Sequence, residues 1–143
     1  MRPGIDEYFL NIAKVVATRS TCPRRMVGAV AVDGRSRILA TGYNGRPAGQ
    51  PHCTEQPCPG AAVPSGITSG LCEAVHAETN CLLSCHDVQQ IHRIYVTCSP
   101  CLECTKMLLN TGCEYIIFDE EYHRDRPKEM WVKAGRSWVN WNK

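Results

Sequence analysis

The sequence has no stretch approaching the ~18 consecutive apolar residues of a membrane-spanning helix, and its first residues, MRPGIDEYFL, lack the apolar core of a secretory leader. Neither membrane insertion nor export is expected, and a reducing cytoplasm is the expected location. Charge of one sign is also scarce, because 16 Lys and Arg against 14 Asp and Glu leave a formal net charge of +2. A protein that grips nucleic acid usually carries a larger or more clustered basic excess, so no nucleic-acid partner is expected. Repeats and low-complexity tracts are missing too. With 143 residues, a single domain over 1–143 is expected.

Cysteine is plentiful by contrast. Ten thiols in a chain without a leader point to metal ligation rather than disulfides. His76-Ala77-Glu78 and Pro100-Cys101-Leu102-Glu103-Cys104 carry the sharpest pattern. One imidazole and two thiols can hold zinc with the fourth position open, which is a catalytic rather than a closed structural set. The pairing of His-x-Glu with Pro-Cys-x-x-Cys marks zinc-dependent nucleobase deaminases. Glu78, the acid inside the first motif, is the expected proton carrier between water, ring nitrogen and leaving ammonia. A closed structural site would need a fourth protein ligand near residue 76, and a redox pair would not need the His-x-Glu.

His76 and Glu78 lie two positions apart, about 200° around a helix, so both can line one pocket only at a helix's first turn. There the helix dipole also places positive charge near the metal. A Cys-x-x-Cys at a second helix N-terminus favours the thiolate that a metal needs.

Along the chain, Asp6 reads as an N-cap opening a helix over 6–20, with Ile5, Tyr8, Phe9, Ile12, Val15 and Val16 as its core stripe. Residues 27–32 form a buried strand, Asp33-Gly34 turns it, and 37–42 return antiparallel. Helices are expected over 74–86, over 101–111 up to Gly112, and over 128–134, with strands at 94–97 and 115–118. Trp138 and Trp141 are expected to pack on the domain or on a neighbouring subunit. The expected fold is α/β, three-layer α/β/α around a central mixed sheet of about five strands.

Residues 45–70 hold five of the nine prolines and five of the eleven glycines and show no periodicity, so they read as a long loop. Cys53 and Cys58 lie in it, Cys72 just beyond it, and Cys22 upstream. These four are the expected ligands of a second, structural zinc, with His52 a possible substitute. Arg24 and Arg25 stand before the first strand, where they could reach a phosphate; solvated charges at a strand end are the alternative.

With these residues in view, the chain resembles the zinc-dependent cytidine and deoxycytidylate deaminase superfamily, and within it the deoxycytidylate (dCMP) branch. The likeness runs through Val27-Gly28-Ala29-Val30, Gly42-Tyr43-Asn44-Gly45, His76-Ala77-Glu78-Thr79-Asn80, Ser99-Pro100-Cys101-Leu102-Glu103-Cys104 and Tyr122. It implies hydrolysis of a cyclic-amidine C–N bond, converting dCMP to dUMP and ammonia and feeding thymidylate synthesis. It also implies that Asn44 contacts the deoxyribose, while the Ala77 backbone and the Ser99 carbonyl hold the base edge. Gly42, Tyr43, Asn44 and Gly45 would belong to an intersubunit allosteric site, where dCTP with Mg2+ activates and dTTP inhibits, in a homohexamer. The match departs after Tyr122, leaving Arg24, Arg25, His123 and Arg124 as candidate phosphate contacts. Two other functions are carried beside this one: a deaminase of bases in tRNA or single-stranded DNA, and a non-catalytic, zinc-stabilised deoxynucleotide-binding module.

Overall fold

A computed structural model describes residues 1–22, 24–52, 74–122 and 125–142. Five strands form one mixed sheet in the order β2-β1-β3-β4-β5: β1 Gly28–Val32, β2 Ile38–Tyr43, β3 Arg93–Cys98, β4 Tyr115–Glu120 and β5 Ser137–Asn140. Four helices surround it: α1 Ile5–Ala17, α2 Ala77–Ser84, α3 Leu102–Leu109 and α4 Asp125–Lys133. β1 is antiparallel to both β2 and β3, while β3–β4 and β4–β5 are parallel pairs joined through α3 and α4. This is the expected α/β arrangement of a mixed five-stranded sheet between helices.

β1, sequence GAVAV, is buried along its whole length, and its alternation sorts the core into two layers. Val30 and Val32 meet Phe9, Leu10 and Ala13 of α1, together with Tyr95 and Ile117. Ala29 and Ala31 face the other way, toward Ala77 and Cys81 of α2, Leu108 of α3 and Trp131 of α4. Fully burying a side chain such as Phe9 or Leu10 contributes about 1.5–3 kcal/mol, so each layer rests on a few large residues.

The stripe expected for α1 is rotated. Phe9, Leu10, Ala13 and Ala17 are the buried positions, Ile12 and Val16 flank them, and Ile5, Tyr8 and Val15 are exposed. Small residues decide this face, because a Cβ on Gly28 would lie 2.1 Å from the Ala13 carbonyl oxygen. The helix backbone rests almost on the strand, with Ala13 and Ala17 over Gly28, where a Cβ has no room. Asp6 does not cap the helix either; Gly4 holds the N-cap position, and Asp6 instead accepts a hydrogen bond from the Tyr95 hydroxyl at 2.5 Å.

The hairpin between β1 and β2 also departs from a two-residue Asp-Gly turn. Its left-handed residue is Ser36, φ 61°, and Asp33 closes the loop by accepting from the Arg35 and Arg37 amides at 2.9 Å each. β5 was not anticipated as a strand, but Trp138 within it packs against the inner layer, edge-on to Phe118. After β2 the chain makes an isolated bridge, Gly45 with Val75, whose two hydrogen bonds measure 3.1 and 2.7 Å. Val75 leads directly into α2. No helix among the described residues is long and apolar enough to cross a membrane.

Candidate active site

Two helix starts converge beside the C-terminal ends of β2 and β3. His76 is the N-cap of α2 with extended backbone, φ −68° and ψ 153°, and Cys101 is the N-cap of α3 with φ −72° and ψ 173°. Neither position uses its side chain to cap its helix. The His76 imidazole and the Cys101 thiol are therefore released from their helices to face each other. Cys104 comes from the first turn of α3 and is almost fully buried.

His76 Nδ1 lies 3.4 Å from the sulfur of Cys101 and 3.4 Å from that of Cys104. In a tetrahedral site with Zn–N near 2.0–2.1 Å and Zn–S near 2.3 Å, nitrogen and sulfur stand about 3.5 Å apart. The three donor atoms lie within 4.8 Å of one another and form the one such cluster among the described residues. The donor set, two thiols and an imidazole at tetrahedral spacing, fits zinc and leaves a coordination position open.

Glu78 is the second residue of α2 and is 4% exposed. Burial pushes its carboxyl up to about 7, so without a metal it sits midway between acid and base at neutral pH. The hydrogen bond between His76 and Cys101 raises the His76 imidazole above its ordinary value. The thiol pair is polarised: a hydrogen bond from Cys104 pulls Cys101 down to the thiolate side, while Cys104 is driven up and keeps its proton.

Residues outside the two motifs complete the site. Thr79 Oγ1 lies 3.8 Å from Cys104 Sγ, and Thr105 Oγ1 donates to the Cys101 carbonyl at 2.8 Å. Asn80 Nδ2 donates to the Tyr43 carbonyl at 2.8 Å, tying α2 to the end of β2. Gly42 makes that approach possible, since a Cβ there would lie 2.3 Å from the Cys81 amide nitrogen and 2.4 Å from the Ala77 carbonyl oxygen. Thr79 and Asn80 lie in the stretch that carries the resemblance, though with no role assigned to them there; Thr105 carries no pattern that marks it, and the Asn80 contact joins residues 37 positions apart.

Asn44 is buried, its amide oxygen hydrogen-bonded and its amide nitrogen donating through one of its two hydrogens. Its Oδ1 accepts from the Val27 amide at 2.9 Å and from Ser20 Oγ at 2.6 Å, and its Nδ2 donates to the Arg25 carbonyl at 2.6 Å. It locks the segment before β1 to the end of β2. Ala77 is fully buried at the start of α2, and Ser99 is buried with its Oγ accepting from the Tyr122 amide at 2.8 Å.

Gly42, Tyr43 and Gly45 line a cavity of about 300 Å³ together with Thr21, His52 and Asn80. Arg24 is exposed; Arg25 is partly buried under the Tyr122 ring, 3.9 Å from its centroid. Cys22 is partly buried, its amide donating to Ser20 Oγ at 3.2 Å. Cys53, Cys58, Cys72, His123 and Arg124 lie outside the described residues.

Residues 3–120 match the family model described as cytidine and deoxycytidylate deaminase zinc-binding region. A protein of Mycobacterium phage D29 named deoxycytidylate deaminase is 45% identical over 128 residues, covering 84% of this chain and 98% of the phage protein. A Schizosaccharomyces pombe protein of the same name is 37% identical, but there the matched region covers 87% of this chain and only 39% of the yeast protein. Among solved structures, a dCMP deaminase of cyanophage S-TIM5, crystallised with dCMP and dUMP, superposes with a TM-score of 0.77. It is 27% identical and the match covers 98% of each chain.

Proposed function

Because the chain belongs to the cytidine and deoxycytidylate deaminase family, we propose that it converts dCMP to dUMP and ammonia by hydrolysis, supplying dUMP for thymidylate synthesis. The observation that carries this reading is the open His76, Cys101, Cys104 cluster with buried Glu78 in the first turn of the same helix. The names of the phage and yeast relatives, and the dCMP and dUMP in the cyanophage structure, favour the deoxynucleotide monophosphate.

Zinc held by His76, Cys101 and Cys104 would supply water with a pKa near 7, and so a nucleophile at neutral pH. Glu78 would take one proton from that water and deliver it to the ring nitrogen, then carry the second proton, from the hydroxyl newly formed on the ring carbon, to the leaving amino group. The Ala77 backbone and the Ser99 carbonyl hold the base edge, and Asn44 meets the deoxyribose through the second hydrogen of its amide nitrogen. Arg24, Arg25, His123 and Arg124 are the proposed phosphate contacts.

Regulation belongs to the same proposal. The cavity beside Gly42, Tyr43, Asn44 and Gly45 would receive dCTP with Mg2+ as activator or dTTP as inhibitor, in a homohexamer. The Asn80–Tyr43 bond gives that cavity a direct connection to α2. Cys22, Cys53, Cys58 and Cys72 would hold a second, structural zinc. We place the single-domain enzyme in the cytoplasm, without nucleic-acid or membrane partners.

Ammonia release from cytosine, cytidine, deoxycytidine, dCMP, dCTP and oligonucleotides tests the substrate. Turnover of dCMP above the others is the expected result; preferential release from an oligonucleotide or from cytidine would sink the assignment. A non-catalytic binding module would release none from any of them. Metal analysis separates two zinc ions per chain from one.

A further inference from the structure

Arg25, Cys98, Glu120 and Tyr122 come from three separate stretches of chain and meet at one rim of the sheet. β1 runs antiparallel to β3, and β3 parallel to β4, so the segment before β1 shares an edge with the ends of β3 and β4. Ser99, Pro100 and Cys101 leave β3 at that same edge. Tyr122 is tied to them, its amide donating to Ser99 Oγ at 2.8 Å.

The Arg25 guanidinium lies flat against Tyr122, with Cζ 3.9 Å from the ring centroid. Its Nη2 alone serves two partners, Glu120 Oε1 at 2.7 Å and Cys98 Sγ at 3.4 Å. Among the described residues Nε is buried without a partner, and Nη1 makes no hydrogen bond. A guanidinium presents five donors suited to forked recognition of an oxyanion, and here one carboxylate oxygen engages it at a single nitrogen. The Glu120 side chain is 69% exposed, and an ion pair of that kind contributes little. A phosphate monoester, nearly doubly charged with three acceptor oxygens, is the stronger partner for a stacked arginine.

We propose that Glu120 is an internal stand-in for the 5′-phosphate of the nucleotide, holding Arg25 stacked at the rim until the substrate's phosphate displaces it. This rests on dCMP being the substrate, and it makes Arg25 the group that separates a monophosphate from its nucleoside. Glu120 then sets how tightly phosphate must bind to win that arginine. The displacement breaks one ion pair and forms another, with no covalent change.

Steady-state kinetics of the zinc-loaded enzyme on dCMP and deoxycytidine, with calorimetric titration of inorganic phosphate, test it. Arg25→Gln should lower the ratio of kcat/KM for dCMP over deoxycytidine roughly 10- to 100-fold, the worth of a charge-assisted contact. Arg25→Lys should recover part of that ratio. Glu120→Gln should lower KM for dCMP and tighten inorganic phosphate binding by about 2- to 5-fold, and Arg25→Gln should abolish that gain in the double variant. Equal losses on both substrates in Arg25→Gln would reduce Arg25 to a structural brace. A KM that rises or stays level in Glu120→Gln would overturn the stand-in role. If the wild type does not turn over dCMP, the substrate assignment fails; the phosphate titration still decides whether Glu120 and an oxyanion compete for Arg25.

Discussion

His76 Nδ1 and the sulfur of Cys104 stand 3.4 Å apart although 28 positions of sequence separate them. Nothing covalent joins them; they are brought together because each lies at the start of a helix that packs on the same face of the sheet. The pairing divides the roles of four residues. His76→Ala, Cys101→Ala and Cys104→Ala should each abolish stoichiometric zinc at this site. Glu78→Gln should retain it while kcat falls by about 10²–10⁴-fold. Elemental analysis beside ammonia release checks both. Loss of zinc in Glu78→Gln would make Glu78 a ligand rather than a proton carrier.

Thr79 Oγ1 faces the Cys104 sulfur at 3.8 Å, where a hydroxyl donor steadies a metal-bound thiolate. Thr79→Ala should weaken zinc binding by roughly 10-fold, and Thr79→Ser should restore most of it. Competition against a chromogenic chelator reads the difference without reference to turnover.

The thiols should differ sharply toward an alkylating reagent. Burial pushes Cys81 and Cys113 up to about 12, so both should stay unmodified in the folded protein at pH 8. Cys101, held as thiolate by its hydrogen bond from Cys104, should react rapidly once a chelator strips the metal. Mass mapping before and after chelation gives the order, and labelling of Cys81 ahead of Cys101 would contradict it.

Two glycines offer a paired test of how the layers fit. Gly28→Ala drives a methyl into α1, and Gly42→Ala drives one into the backbone of α2. Both should cost about 1–3 kcal/mol or more in urea unfolding. Gly42→Ala should in addition lower kcat by up to about 100-fold, because α2 carries His76 and Glu78. Equal effects on activity would mean that α2 is not positioned through Gly42.

Asp33 provides the acid limb. The hydrogen bond from the Arg37 amide, followed by that from Arg35, holds its carboxyl below the ordinary 3.8. A depressed folded value stabilises the protein above the unfolded value and ceases to do so as pH falls through the folded one. The Tm gap between wild type and Asp33→Asn should therefore be constant near neutrality and narrow below about pH 4. A gap that widens in acid would reverse the sign.

The chemistry was legible because zinc chemistry demands residue types that little else explains: His-x-Glu and Cys-x-x-Cys name their own ligands, and the 200° between His76 and Glu78 requires a helix start. The strands of the centre were equally plain as apolar runs between turn residues. Periodicity misjudged α1, since it weighs Ile5, Tyr8 and Val15 by size while the seam against Gly28 admits alanine. β5 was missed because four residues, SWVN, are too few to show alternation, and its pairing with β4 comes from far along the chain. Thr105, the contact of Thr79 with Cys104 and the Arg25–Glu120 pair were invisible for the same reason. Ordinary polar residues acquire meaning only from neighbours the fold supplies.

The two hydrogen bonds between Gly45 and Val75 give the chain a common point of departure and return. Whatever residues 46–74 do, they begin and end at one fixed clasp, so their length is uncoupled from the register of α2. Loop-closure entropy grows only slowly with length, so the cost of a longer or shorter excursion is small. Replacing the stretch between Gly45 and Val75 with the corresponding stretch of a relative should therefore leave α2 in place.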